Sequence, residues 1–157
     1  MDGAAPTDRE IQAFQRAARD LIGVALHSVQ AAGEGVSLAQ MRVLVALRDL
    51  GRCPSSKVAV ALGLGPSSIT RLADRLASSG HVERGAAANH RGVVTLELTA
   101  AGRELVEAVL EWRRQELDRI LSRIDPAQRA LTAQGLERFH EVVGTAYAAD
   151  PPGPVPL

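Results

Sequence analysis

The run Ser67-Ser68-Ile69-Thr70-Arg71, with Arg75 a turn further on, gathers short hydroxyls and guanidinium groups in one place. Hydroxyls of this reach bond phosphate oxygens or base edges, and an arginine grips O6 and N7 of guanine with two hydrogen bonds. At helical spacing Ile69, Leu72 and Leu76 take the opposite face, which leaves the polar set on one exposed side. The chemistry this favours is binding to double-stranded DNA. The plain alternative is an ordinary helix N-terminus, where serine and threonine are favoured for capping. What decides between the two is whether the neighbouring elements agree.

Those elements follow from the flanking residues. Gly65 and Pro66 open the helix that carries the run, and it continues to about Ser79 and stops at Gly80. A shorter helix from Pro54-Ser55 to Leu62 precedes it across the tight link Leu62-Gly63-Leu64-Gly65. Two short helices so joined read as a helix-turn-helix whose second member enters a major groove. Beyond Gly80 the period changes from helical to alternating: His81 to Arg84 and Val93 to Thr99 read as two strands, with Gly85 to Gly92, GAAANHRG, as their polar tip. The pair makes a β-hairpin wing whose Arg91 has the charge for a minor groove, with His90 beside it as a second candidate. Lys57 and Ser55, at the start of the shorter helix, are candidates for phosphate contact, although capping is the commoner use of such a serine. Asp74 reads as the ion-pair partner of an arginine such as Arg91 or Arg71.

Long amphipathic helices flank this unit. One runs from Asp8 to about Ala31 behind Thr7 as cap, with Ile11, Phe14, Ala18, Leu21, Ile22, Ala25 and Val29 on one face. A second, capped by Ser37, reaches about Leu50 and turns Leu38, Met41, Leu44, Val45 and Leu47 inward. From Ala100 another carries Leu105, Val109, Trp112, Leu117, Ile120, Leu121 and Ile124 until Asp125-Pro126, and a last one carries Leu131, Leu136, Phe139, Val142 and Val143, with Gly135 as a candidate break. Phe14 and Trp112 read as core. These stripes hold more apolar surface than the winged region covers, and isolated helices are only marginal until packed. A second copy of the chain resolves the excess, and a two-fold dimer sets two recognition helices about 34 to 36 Å apart, over an inverted repeat.

Composition bounds the rest. With 157 residues, 46% hydrophobic and 23% charged, the chain has the make-up of one globular domain, with no apolar run long enough for a membrane span. Residues 1–36 and 100–149 are assigned to dimerisation helices, 37–99 to the winged helix-turn-helix and 150–157, ending PPGPVPL, to a flexible tail. The net charge is zero, yet from Arg52 to Gly92 six basic residues meet only two acids, a net +4 that the rest of the chain balances with −4. The start MDGAAPTDRE is no secretory signal and a lone cysteine makes no internal disulfide, which points to the cytoplasm. His27, His81, His90 and His140 are scattered without metal-ligand spacing, and LGLGPSS is not a phosphate-binding loop, so neither an enzyme nor a bound cofactor is expected.

The segments LGLGPSSITRLADRLASSGHVERG and NHRGVVTLELTAAGREL resemble the MarR-type transcriptional regulators. The resemblance covers Ser37 to Leu105, and the flanking helices in length and placement. It implies a mainly α chain with a small β-hairpin wing, forming a triangular two-fold dimer with the first and last helices interlocked. By position it implies Ser67, Ser68, Thr70 and Arg71 as major-groove readers, Arg75 as a phosphate contact and Arg91 as the wing arginine. Relatives usually carry Asp two residues before that arginine, where this chain has Asn89, and they often pair the recognition-helix aspartate, here Asp74, with the wing arginine to hold the wing. The implied function is transcription control, repression above all, at an inverted-repeat operator, with release by a small ligand. Its pocket would lie where the dimer helices meet the winged region, with His27, Gln30, Met41, Arg42, Leu44, Trp112 and Arg113 as walls. Some relatives sense peroxide through a cysteine in the first helix; this chain has none there, and Cys53 before Pro54 reads as packing. The reading from another class is a protein-interaction module on the same scaffold.

Overall fold

The computed structural model describes residues 4–31, 35–87 and 90–148. In chain order the elements are α1 (Asp8–Ala31), α2 (Leu38–Leu50), β1 (Cys53–Pro54), α3 (Ser55–Leu62), α4 (Pro66–Ser78), β2 (Val82–Ala87), β3 (His90–Leu98), α5 (Ala100–Leu121) and α6 (Pro126–Ala148). The fold is the expected one, mainly helical with a small antiparallel sheet in the order β1-β3-β2.

Local chemistry sets the helix starts. At α2 the Ser37 hydroxyl accepts from the Gln40 amide at 3.2 Å, and the Gln40 side chain accepts from the Ser37 amide at 2.9 Å. This reciprocal box serves amides that the helix leaves unpaired. Thr7 and Glu10 make the same exchange ahead of α1. At α5, Thr99 is the cap: its hydroxyl accepts from the Gly102 amide at 3.0 Å and donates to the Gly80 carbonyl at 2.6 Å. The start of α3 differs from expectation, because Pro54 occupies the cap position and Ser55 is already helical with no side-chain cap bond.

The core lies where α2, α3, α4, the sheet and the first half of α5 meet. Met41, Leu44 and Leu47 from α2, Val58 and Leu62 from α3, Ile69 and Leu76 from α4, Leu96 from β3 and Val106 and Val109 from α5 are all fully buried. Each such aliphatic side chain contributes about 1.5 to 3 kcal/mol by leaving water. Outside that core α1 packs on α5, while α6 buries none of its described side chains.

Four expectations are corrected. The hairpin is longer than the alternation implied: β2 runs on through Gly85 and Ala86, paired with Thr95 and Val94, and a bulge follows between Ala86 and Ala87. Ladder pairing here overrides the poor strand preference of small residues. β1, too short to leave a pattern, adds a third strand through Cys53 opposite Leu96 and Pro54 opposite Thr95. Gly135 does not break α6. Phe14 is 51% exposed and Trp112 half-buried, so neither is core within one chain; Phe14 instead stacks on Phe139 of α6, ring centroids 5.1 Å apart and tilted by 36°. Asn89 and the tail 150–157 lie outside the described residues.

Candidate nucleic-acid interface

The α3–α4 link holds the candidate recognition helix in place. Gly63 takes a left-handed conformation, φ 62° and ψ 32°, and its amide bonds back to α3, as does that of Leu64 to the Ala59 carbonyl at 2.9 Å. A side chain at position 63 would be strained there, so glycine is required. The Arg42 guanidinium donates to the Leu62 carbonyl at 3.3 Å and ties this turn to α2.

From that turn α4 splits into two faces. Ile69, Ala73 and Leu76 are buried against the core, while Ser67, Thr70, Arg71 and Arg75 are exposed and Ser68 is half-buried. The first turn has Gly65 as cap and no side chain bonded to its amides, so the partial positive end of the helix faces outward among hydroxyls and arginines. One refinement concerns Thr70, whose hydroxyl donates to the Pro66 carbonyl at 2.9 Å. With its hydrogen so used, Thr70 offers an acceptor and a methyl group rather than a donor. On α3, Lys57 is exposed and Ser55 half-buried.

The wing is fixed to this helix by charge. Asp74 on α4 pairs with Arg84 on β2, one strand residue along from Gly85. The expected role of Asp74 thus has a partner that sequence reasoning missed, Arg84 in place of Arg71. His90 and Arg91 belong to β3 by backbone, and their side chains lie outside the described residues, as does all of Asn89.

The seven candidate pocket residues do not come together around one opening. Met41 and Leu44 are sealed in the core, His27 and Gln30 are exposed, and Trp112 and Arg42 are half-buried. Arg113 alone of the seven lines the apolar cleft of about 390 Å³ between α1 and α5, with Ala18, Leu21, Ile22, Val24, Ala25 and Leu117. Its Nε donates to the Ser28 hydroxyl at 2.8 Å, Ser28 donates on to the Ala25 carbonyl at 2.7 Å, and burial pulls the guanidinium pKa down from its ordinary value. The helical period identified Met41 and Leu44 as inward-facing; it does not distinguish a core from a pocket wall.

Cys53 is buried at 4% exposure, and burial pushes its thiol pKa up, a shift the Lys57 ammonium only partly opposes. A raised pKa means less thiolate at neutral pH. The native protein is therefore expected to react with a disulfide-exchange reagent at pH 7 at least about 100-fold more slowly than the urea-unfolded chain, because both the thiolate fraction and access are reduced. Equal rates would show that the thiol is open and restore oxidation as a signal. Among the described residues no three His, Cys, Asp or Glu side chains group as a metal would need.

Comparison with known proteins agrees with this geometry. The MarR family profile matches residues 34–91. The chain is 31% identical over 101 residues to the uncharacterised HTH-type transcriptional regulator YfiV of Bacillus subtilis, covering 64% of this chain and 63% of that protein. It is 35% identical over 89 residues to the HTH-type transcriptional repressor MdtR of the same organism, covering 57% of each. The chain thus spans less than two thirds of either relative's length. The crystal structure of RV1404 from Mycobacterium tuberculosis superposes with a TM-score of 0.83 at 30% identity, covering 92% of this chain and 99% of that one. Since the profile falls on the helix-turn-helix and wing, and this likeness, over 92% of the chain, carries the same fold into the long flanking helices, the chain belongs to the MarR family.

Proposed function

We propose that this chain regulates transcription as a homodimer in the cytoplasm, binding an inverted-repeat operator sequence-specifically, chiefly to repress, and leaving it when a small ligand binds. The observation that carries the reading is the exposed face of α4, where Ser67, Thr70, Arg71 and Arg75 stand beside a wing tied back to the same helix by Asp74 and Arg84. Arg71, nearer the helix start, reads a base edge together with Ser67, Ser68 and Thr70; Arg75, Lys57 and Ser55 hold phosphate, and Arg91 with His90 occupies the minor groove. Asn89 and Asp74 set the wing's position. Repression is favoured by the name of the relative MdtR.

The dimer is supported by exposed apolar surface. Ile11, Phe14, Leu21 and Ile22 on α1 and Leu131, Leu136 and Phe139 on α6 are all exposed in the single chain, Leu131 at 68%. An amphipathic helix whose apolar stripe its own chain leaves largely exposed gains stability from a second copy that covers it. On this reading α1, α5 and α6, within the segments 1–36 and 100–149, are the dimer's helices. A small ligand acts through the dimer's geometry: whatever binds better to the form with the wrong spacing between recognition helices weakens operator binding by that difference. The cleft lined by Arg113 is the place to look for it.

The test is selection of bound duplexes from a random pool by the purified protein, followed by titration of the enriched site. An enriched inverted repeat is expected. No enrichment would remove the regulator reading. On the enriched site Arg71→Ala is expected to cost about 1 to 3 kcal/mol and relax preference at one base pair per half-site, whereas Arg75→Ala weakens all sequences alike. Identical behaviour of the two variants would overturn the division between base reader and phosphate contact.

A further inference from the structure

The outer face of the sheet carries a contact that none of the recognition chemistry uses. In β3 the residues Thr95 and Glu97 point away from the core, and opposite them in β2 stand Gly85 and Glu83. Two glutamates face each other across that pair of strands, Glu83 and Glu97, an arrangement that repels. Arg52, the residue just before β1, runs over this face. Its Nε lies 3.9 Å from the Glu97 carboxylate, and its Nη2 donates to the Ala86 carbonyl of β2 at 3.4 Å. The side chain therefore crosses from the β1 edge over β3 to β2, and Thr95 beneath it is only 7% exposed.

The crossing explains the glycine at position 85. A Cβ there would sit 3.0 Å from Arg52 Nη2 and 3.0 Å from the Thr95 hydroxyl. At those distances the guanidinium or the Thr95 hydroxyl has to give by a few tenths of an ångström. On the other face of the same strand the adjacent residue, Arg84, is paired with Asp74 of α4. β2 is thus held at neighbouring residues from both faces, by α4 on one side and by Arg52 on the other, just where it departs toward the wing's tip.

We propose that Arg52 is a positioning residue for the wing: a guanidinium strap, passing over Gly85, that fixes the hairpin's direction relative to α4 and so the placement of Arg91 on DNA. The inference rests on the DNA-binding reading. Arg52 acts through the wing and touches no base or phosphate itself.

Two variants reach the strap from opposite ends. Arg52→Ala removes it; Gly85→Ala keeps its charge and displaces its path, and position 85 is not in the left-handed region, so the alanine brings no backbone strain. The readouts are operator affinity, hydroxyl-radical footprint and amide hydrogen exchange of the free protein. Both variants are expected to lower affinity on the order of tenfold, the weight of about one lost charged contact. Both are expected to lose protection only at the outer, minor-groove edge of each half-site, and neither to add to the loss in Arg91→Ala. In the free protein exchange should quicken at Ala86 and Val94 and stay unchanged in α4, with the thermal midpoint held. The proposal is overturned if Gly85→Ala binds like the unaltered protein, which would show that the path over residue 85 does not set the wing, or if Arg52→Ala costs its full factor on top of Arg91→Ala, which would make Arg52 a direct contact. Failure of the unaltered protein to bind any duplex overturns the DNA reading itself and the strap's role with it, and is visible without a variant.

Discussion

Replacing Gly102 by alanine is expected to destabilise the protein by about 3 kcal/mol, at the upper end of what one added methyl group costs in a packed place. A Cβ on Gly102 would lie 2.1 Å from the carbonyl oxygen of His81, a backbone atom with no freedom to rotate away. That carbonyl is also the acceptor for the Thr99 amide at 3.1 Å, while Thr99 caps α5 through the Gly102 amide and reaches back to the Gly80 carbonyl. Admitting the methyl group means lifting the first turn of α5 off the end of α4 and the base of the wing, and with it the cap and that amide bond. Unsatisfied buried groups of this kind cost about 1 to 3 kcal/mol each. For a chain of this length the midpoint of thermal unfolding should fall by about 6 to 12 °C. A midpoint within a degree of the unaltered protein would show that α5 is not seated on His81 as the geometry requires.

Gly102 also marks where sequence reading stops. The caps at Thr7 and Ser37, the glycine and proline that bracket α4, and the apolar faces of α1, α2 and α4 were legible because each is set by residues within one or two turns of chain. So was the exposed polar face of α4, since Ser67, Thr70, Arg71 and Arg75 share a face by spacing alone. What stayed hidden depends on distant partners. Nothing near Gly102 announces the His81 carbonyl, nothing near Arg52 announces the Ala86 carbonyl, and Asp74 found Arg84 because β2 begins right after α4 ends. The extension of β2 through Gly85 and Ala86 runs against local preference and exists only because β3 lies alongside. Inward-facing periodicity placed Met41 and Leu44 correctly beneath the surface; their place as pocket walls came from the family resemblance, and both are instead sealed in the core. Phe14 and Trp112 lie on the apolar stripes of the dimer helices, and within one chain Phe14 stays open beside Phe139.

Raising salt from 50 to 200 mM is expected to weaken operator binding about 1000-fold. The reasoning begins from charge that a neutral chain concentrates in one region, with six basic residues and two acids between Arg52 and Gly92. Of these, Arg84 is held by Asp74 and Arg52 lies over the sheet beside Glu97, so neither is free for phosphate. On the proposed reading Arg71 is spent on a base edge. Lys57, Arg75 and Arg91 remain, about three cationic contacts in each protomer and about six in a dimer. Each contact releases counterions and adds about −0.9 to the slope of log affinity against log salt, which gives a slope near −5 for the dimer and about half that for a single chain. The slope therefore counts protomers as well as contacts. Measured by fluorescence anisotropy on the selected duplex, a slope near −5 supports both the dimer and the division of roles among the arginines. A slope near −2.5 would mean that one protomer binds alone, and the apolar faces of α1 and α6 would then need a different occupant. A flat line would leave no phosphate contacts at all, and the exposed face of α4 would have to be serving a protein partner instead.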